Sequence, residues 1–210
     1  VDANQDQFAN PFGMDEDCRN CEALCATRTQ VVHGYGDVGA DFLVVGEAPD
    51  AGADGNGVPF TGGPAGERVL SILRRVGLCA SRTDATEPDL DNVFLTNLTR
   101  CRHPDREPSE EEIGNCEPFL SAEIRMINPE ILLPVGERAL AHLVADYTRD
   151  DPADVSLPAV HGDRLRGRGF ELLPMVDAAT MSDEQADAFV HAFSELLGTD
   201  YRQTKGRRGR

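Results

Sequence analysis

Apolar residues along the chain follow two rhythms that alternate. Short, nearly unbroken apolar runs occur at 41–47 (DFLVVGE), 92–98 (NVFLTNL), 130–136 (EILLPVG) and 170–176 (FELLPMV). Runs of this length that stop at glycine or polar residues predict buried parallel strands. Between them the apolar spacing lengthens to three and four. Val69, Leu70, Ile72, Leu73 and Val76 give 65–78 a helical face, and 108–127, 137–147 and 182–198 also read as helices. Ser109 with Glu112 and Ser182 with Gln185 have capping-box spacing, and Gly198 is a stop signal. The alternation predicts a three-layer α/β/α fold, a four-stranded parallel sheet covered on both faces. Residues 18–200 read as one domain, after a polar, loosely ordered segment 1–17 and before a basic, disordered tail 201–210. No internal repeat is evident.

In such sheets ligands bind beyond the carboxyl ends of the strands. The segments there are GEAPD, TNLTRC, PVGER and MVDAAT. The first opens GEAPDAGADGNGVPFTGGPAGE (46–67), which holds seven glycines, three prolines and a single aromatic, Phe60. It contains neither GxxxxGK[ST] nor a GxGxxG opening directly into a helix, which argues against an ATP or NAD site. What remains is bare backbone that a flat ring or a phosphate can approach, leading into a helix N-terminus suited to an anion. Phe60 is either a stacking platform for a base or a plug beneath the loop.

Charge and cysteine usage narrow the setting. The chain carries 20 basic and 37 acidic residues for a net charge of −17, and Lys205 is its only lysine. Such self-repulsion is tolerable when screened, which predicts a protein of salt-rich cytosol. The acidity argues against a broad nucleic-acid footprint, although a local groove or the tail YRQTKGRRGR could still meet phosphates. No apolar run reaches the length of a membrane span and no signal pattern opens the chain, so a cytoplasmic location is expected. The six cysteines are then reduced. Cys18 and Cys21 form CxxC, and with Cys101 and Cys116 they make a four-thiolate site for zinc or an iron–sulfur cluster, which spacing does not distinguish. Cys25 and Cys79 are extra, Cys79 as a small buried apolar residue.

Taken together, CRNCEALCATRTQVVHGYGD, VVGEAPD, VPFTGGPAGE and TNLTRCRHPDREPSEEEIGNCEPFL resemble the family 4 uracil-DNA glycosylases, in register from Cys18 to Leu143 and more loosely beyond. With the acidic surface, this reads as a divergent, haloarchaeal member. The resemblance implies a DNA repair enzyme that flips uracil out of DNA and hydrolyses its N-glycosidic bond, acting as a monomer on single- or double-stranded DNA. It implies a [4Fe–4S] cluster on Cys18, Cys21, Cys101 and Cys116 that braces DNA-contacting loops. Glu47 and the backbone of Ala48 and Pro49 would line the uracil pocket, with Glu47 excluding the thymine methyl group. Phe60 would stack on the base and Asn97 would read its edge.

The sequence also departs from that family. Where the family carries a His-Pro motif whose histidine donates to departing uracil, LPMVDAAT places Asp177 and Ala178. Asp50 stands where glycine is usual, and the family's acidic pair is reduced to Ala53-Asp54, which leaves Asp54 to position water. The candidate catalytic groups are therefore Glu47, Asp54 and Asp177. An ionised aspartate only accepts hydrogen bonds, so the alternative reading is a non-catalytic iron–sulfur protein that binds damaged or single-stranded DNA. A zinc-bound interaction module is the third. His161 reads as a surface-loop histidine, and Arg164, Arg166 and Arg168 as phosphate contacts or a solvated loop.

Overall fold

All four apolar runs become strands, and two further two-residue strands extend the sheet at its edges. In the computed structural model, which describes residues 7–202, helix α1 (Glu22–Thr27) leads into β1 (Tyr35–Gly36) and β2 (Phe42–Gly46). Then follow α2 (Ala51–Asn56), α3 (Pro64–Arg75), β3 (Val93–Asn97), α4 (Glu110–Ile127), β4 (Ile131–Pro134) and α5 (Glu137–Tyr147). The chain closes with β5 (Leu165–Arg166), β6 (Glu171–Leu172) and α6 (Asp183–Leu197). The order is β1-β3-β2-β4-β6-β5 in one six-stranded sheet. Its central strands β3, β2, β4 and β6 are parallel, whereas β1 and β5 are antiparallel edges. The α/β class is as expected, but the sheet is mixed and larger than four strands, because two-residue strands are too short for a period to register. Only Glu171–Leu172 of 170–176 is regular strand. Pro174 has no N–H to give the ladder, although Met175 still donates to Pro134 (2.8 Å) and keeps the segment beside β4.

Strand alternation sorts the core into two layers. Phe42 and Val44 pack with Val69 and Leu73 of α3 and Phe189 and Phe193 of α6. Leu43 and Val45 pack with Leu120 and Ile124 of α4 and Leu140 and Leu143 of α5. With both faces of β2 covered, its sequence reads as a continuous apolar run rather than an alternation. Both capping boxes form, fixing where α4 and α6 begin. The chain leaves β2 to one side for β3 and crosses to the other side for β4. The carboxyl end of β2 is therefore the sheet's switch point, where diverging loops leave a crevice.

The ends of the described chain are more ordered than their polarity suggests. Phe12 is buried against Phe94, with ring centroids 5.8 Å apart, and the Asn10 N–H donates to the Gly34 carbonyl at 3.0 Å. One buried ring and a few backbone bonds dock residues 7–17 without any periodicity. At the other end Tyr201 packs on Phe42 at 5.1 Å and Arg202 Nε donates to Asp41 Oδ2 at 2.7 Å. Residues 1–6, and 203–210 of the basic tail, lie outside the described residues.

His33 pins the N-terminal segment and makes stability depend on pH. Its Nε2 donates to the Asp15 carbonyl at 2.9 Å, while the buried Nδ1 has no partner. Burial lowers its pKa from the usual 6.5 to about 4. The unfolded chain thus takes up a proton below pH 6.5 that the folded one refuses until about pH 4. Stability is expected to fall across that window by up to about 3 kcal/mol from this group. Thermal unfolding of His33→Phe should lose that part of the slope; an unchanged pH profile would rule the account out.

Candidate functional site

At the switch point the four parallel strands converge on one cavity of about 140 Å³. Gly46 and Glu47 come from the end of β2, Asn97 from β3, Gly136 from the turn after β4, and Asp177 and Ala178 from beyond β6. The volume is close to the roughly 150 Å³ that admits a benzene ring in an engineered protein cavity, which is the size of one planar ring. Phe60 forms part of the wall, held with φ at +58°, a conformation that costs an aromatic residue free energy and so marks an imposed geometry. Asn97 is 2% exposed, and its Nδ2 has no hydrogen-bond partner. A buried amide donor without a partner costs about 1–3 kcal/mol. The fold therefore keeps an unmet donor on a residue that lines a ring-sized cavity.

The glycines of 46–67 are bare mainly because the loop packs against itself. A Cβ on Gly52 would strike the Gly62 backbone, and Gly66 lies against the Phe60 carbonyl. Bare backbone against a ligand accounts for little of the loop; Gly46 and Gly66 are its only glycines lining the cavity. At Gly46 a Cβ would collide with Asn97 Oδ1 and lie 2.7 Å from Phe60 Cζ. Its hydrogen is what lets ring and amide meet over the strand end. The loop also contains α2, whose run of small residues carries no apolar period for sequence reading to detect.

Three carboxylates surround the cavity. Glu47 is half-buried, and its Oε1 accepts from the Arg138 N–H at 3.1 Å, tying it to the N-terminus of α5. Burial raises its pKa, the Arg138 amide opposes this, and the charges of Glu107 and Asp177 add to the rise. Asp50 caps α2 through the Ala53 N–H (2.8 Å) and lines the cavity. Sequence reading marked this position only as a departure. Asp54 lies elsewhere: both its oxygens receive the Thr29 N–H at 3.0 Å, and it does not line the cavity. Asp177 is exposed at the cavity, its Oδ1 taking the Ala179 N–H at 2.9 Å. Among the described residues no cationic side chain lines the cavity, but residues at the N-termini of α3 (Ala65, Gly66) and α5 (Gly136) do. Their dipoles favour negative charge there. Pro49 lines an adjoining groove, formed with residues 101–108, that shares Glu47, Ala48 and Asp50 with the cavity.

His161 braces the site from outside it. The Val176 N–H donates to its Nδ1 at 3.1 Å, its Nε2 donates to the Gln185 carbonyl at 2.9 Å, and its ring stacks on Phe189. It is half-buried rather than a surface residue, and it holds the backbone just before Asp177. Arg164 pairs with Glu171 at 2.6 Å.

Cys18, Cys21 and Cys101 pack together with Leu24 and Val31. Cys116 of α4 is close enough to feel the charges of Cys18 and Cys21, and Cys25 donates to the Cys18 carbonyl at 3.6 Å. All six cysteines are free thiols, Cys79 buried apart from this group. Two N–H donors address the sulfurs: Arg28 Nη1 to Cys101 (3.2 Å) and Asn115 Nδ2 to Cys21 (3.6 Å). A thiolate accepts such bonds far better than a thiol. Burial meanwhile pushes the Cys101 thiol up to about 11, a cost that metal binding would reverse by deprotonating it. Among the described residues, no three His, Cys, Asp or Glu side chains converge as a chelate for one metal ion. Among them too, no helix is long and apolar enough to cross a membrane.

A ring-sized cavity thus lies at the switch point of an α/β sheet, with an aromatic wall and a residue whose amide donor is unmet. Residues 33–197 match the profile of the Uracil DNA glycosylase superfamily, and the chain belongs to that family. It is 35% identical over 127 residues to a type-4 uracil-DNA glycosylase of Saccharolobus solfataricus, covering 60% of this chain and 54% of that protein. It is 33% identical over 155 residues to a type-4 uracil-DNA glycosylase of Thermotoga maritima, 72% of each chain. A type-5 uracil-DNA glycosylase of Thermus thermophilus is 32% identical over 151 residues, 62% of this chain and 68% of that protein. The chain thus spans about half the length of the Saccharolobus relative.

Proposed function

We propose that this protein is a DNA-repair glycosylase that flips uracil out of DNA into the cavity at Asn97 and hydrolyses its N-glycosidic bond. The observation that carries the reading is the unpartnered Asn97 amide beside the Phe60 ring. A flipped base is read by stacking and by hydrogen bonds along its edge, and uracil O4 supplies the acceptor that Asn97 Nδ2 lacks. Glu47, fixed by α5, sets the limit on substituents of the ring. As the bond breaks, negative charge gathers on uracil and positive charge on the sugar. The α3 and α5 N-termini favour the former, and the carboxylate of Asp50 favours the latter and can hold a water, the place that sequence reading gave to Asp54.

Cys18, Cys21, Cys101 and Cys116 would hold a [4Fe–4S] cluster, which supplies rigidity to the groove that Cys101 lines rather than glycosidic chemistry. Sulfurs that receive N–H donors but do not close on one ion fit a cluster better than tetrahedral zinc. The groove of residues 101–108 would carry the flanking DNA strand. The acidic, lysine-poor surface suits a protein working in concentrated salt.

One observation favours a second reading, a uracil-specific binder without turnover: the carboxylate of Asp177 faces the cavity where a donor would speed departure. Both are tested with anaerobically purified protein and a single-stranded uracil oligonucleotide in molar potassium chloride. Release of free uracil is expected, from protein with visible iron–sulfur absorbance. Tight, uracil-selective binding without release would establish the second reading, and no preference for uracil would overturn both.

A further inference from the structure

Arg100 is the largest fully buried side chain described, 1% exposed, and lies between Asn97 and Cys101 in sequence. Its Nη1 donates to the Asn97 main-chain carbonyl and, at 2.6 Å, to Thr96 Oγ1. Its Nη2 donates to Glu123 Oε2 at 2.7 Å. Glu123, wholly buried, also accepts from Thr96 Oγ1 (2.6 Å) and from the Gly34 N–H (3.1 Å). The Arg100 carbonyl accepts from the Val32 N–H at 2.7 Å.

Stability alone is a weak reason for this arrangement. Desolvating two charges offsets most of their attraction, and apolar residues of similar volume often serve as well or better. A guanidinium does something that an apolar side chain does not: it donates to a carbonyl. Gly46 and Asn97 are the last paired residues of β2 and β3, so the Asn97 carbonyl sits where regular pairing ends, and Arg100 takes it up. We propose that Arg100, held by Glu123, is a positioning residue that fixes the main chain of Asn97 and hence the placement of its amide at the cavity. The proposal rests on the reading of that cavity as a uracil site. Because Glu123 shares α4 with Cys116 and Arg100 directly precedes Cys101, movement of either segment reaches the amide through this pair.

The test compares Arg100→Met/Glu123→Gln, which removes both charges while keeping volume and the Thr96 and Gly34 contacts, with Arg100→Lys, Asn97→Leu and the unaltered protein. Affinities for single-stranded oligonucleotides carrying uracil or thymine are read beside the melting temperature. The double variant is expected to melt within a few degrees of the parent, yet to lose about ten- to a hundredfold of its preference for uracil, the scale of a displaced contact. Arg100→Lys, which reaches fewer of the acceptors, should fall between. Preference retained in both Arg100 variants but lost in Asn97→Leu would overturn the positioning role alone. If the double variant does not fold, Arg100→Lys decides: parental preference overturns the proposal and reduced preference supports it. No preference in the unaltered protein would remove the uracil reading, and this proposal with it.

Discussion

Asp177→His is expected to raise the rate of uracil release by about 10²–10³-fold, the usual worth of one donor aimed at a departing oxyanion. Asp177 borders the cavity, and its Oδ1 is occupied by the Ala179 N–H, so the carboxylate is held in place. It can accept but not donate, and its charge opposes the charge growing on uracil. The N-termini of α3 and α5 supply part of what is missing, but dipoles at helix ends contribute less than a directed hydrogen bond. Asp177→Asn separates the two effects. It removes the charge, keeps the acceptor for Ala179, and offers an Nδ2 donor, so its rate should lie between those of the aspartate and histidine forms. Single-turnover release from a single-stranded oligonucleotide measures all three. Equal rates would mean that residue 177 does not face the base.

Asn97→Leu is expected to move stability and function in opposite directions. The side chains share a branched shape of four heavy atoms, and the change deletes a buried donor that has no partner in the free protein. The melting temperature should therefore rise, by the equivalent of about 1 kcal/mol. Uracil release should fall by about 10²-fold or more, because a site built to hydrogen-bond its ligand loses most of its discrimination with that bond. A side chain kept only for the core would give the reverse pattern, a lower melting temperature at unchanged release.

Strands covered on both faces and capped helices were the legible part of the fold, since burial and capping leave marks at fixed spacing. The parallel pairing of the central strands followed from alternation, their order did not, and β1 and β5 were too short to leave any mark. At the site, strand ends and punctuation marked the segments that carry Glu47, Phe60 and Asn97, while the roles of Glu47 and Asn97 came from the family resemblance. Asp54 was misplaced because acids four residues apart in a glycine-rich stretch look alike until α2 turns Asp50 inward and Asp54 toward Thr29. The glycines were read as room for a ligand, when most are room for the loop's own backbone. Arg100 and Glu123 went unnoticed, although a carboxylate on the apolar face of α4, between Leu120 and Ile124, was a signal in plain view.

The most direct measurement is a crystal structure of the protein grown in molar potassium chloride with free uracil. The account expects uracil in the cavity against the Phe60 ring, with O4 about 3 Å from Asn97 Nδ2. An empty cavity at saturating uracil, or uracil bound away from Asn97, would contradict it.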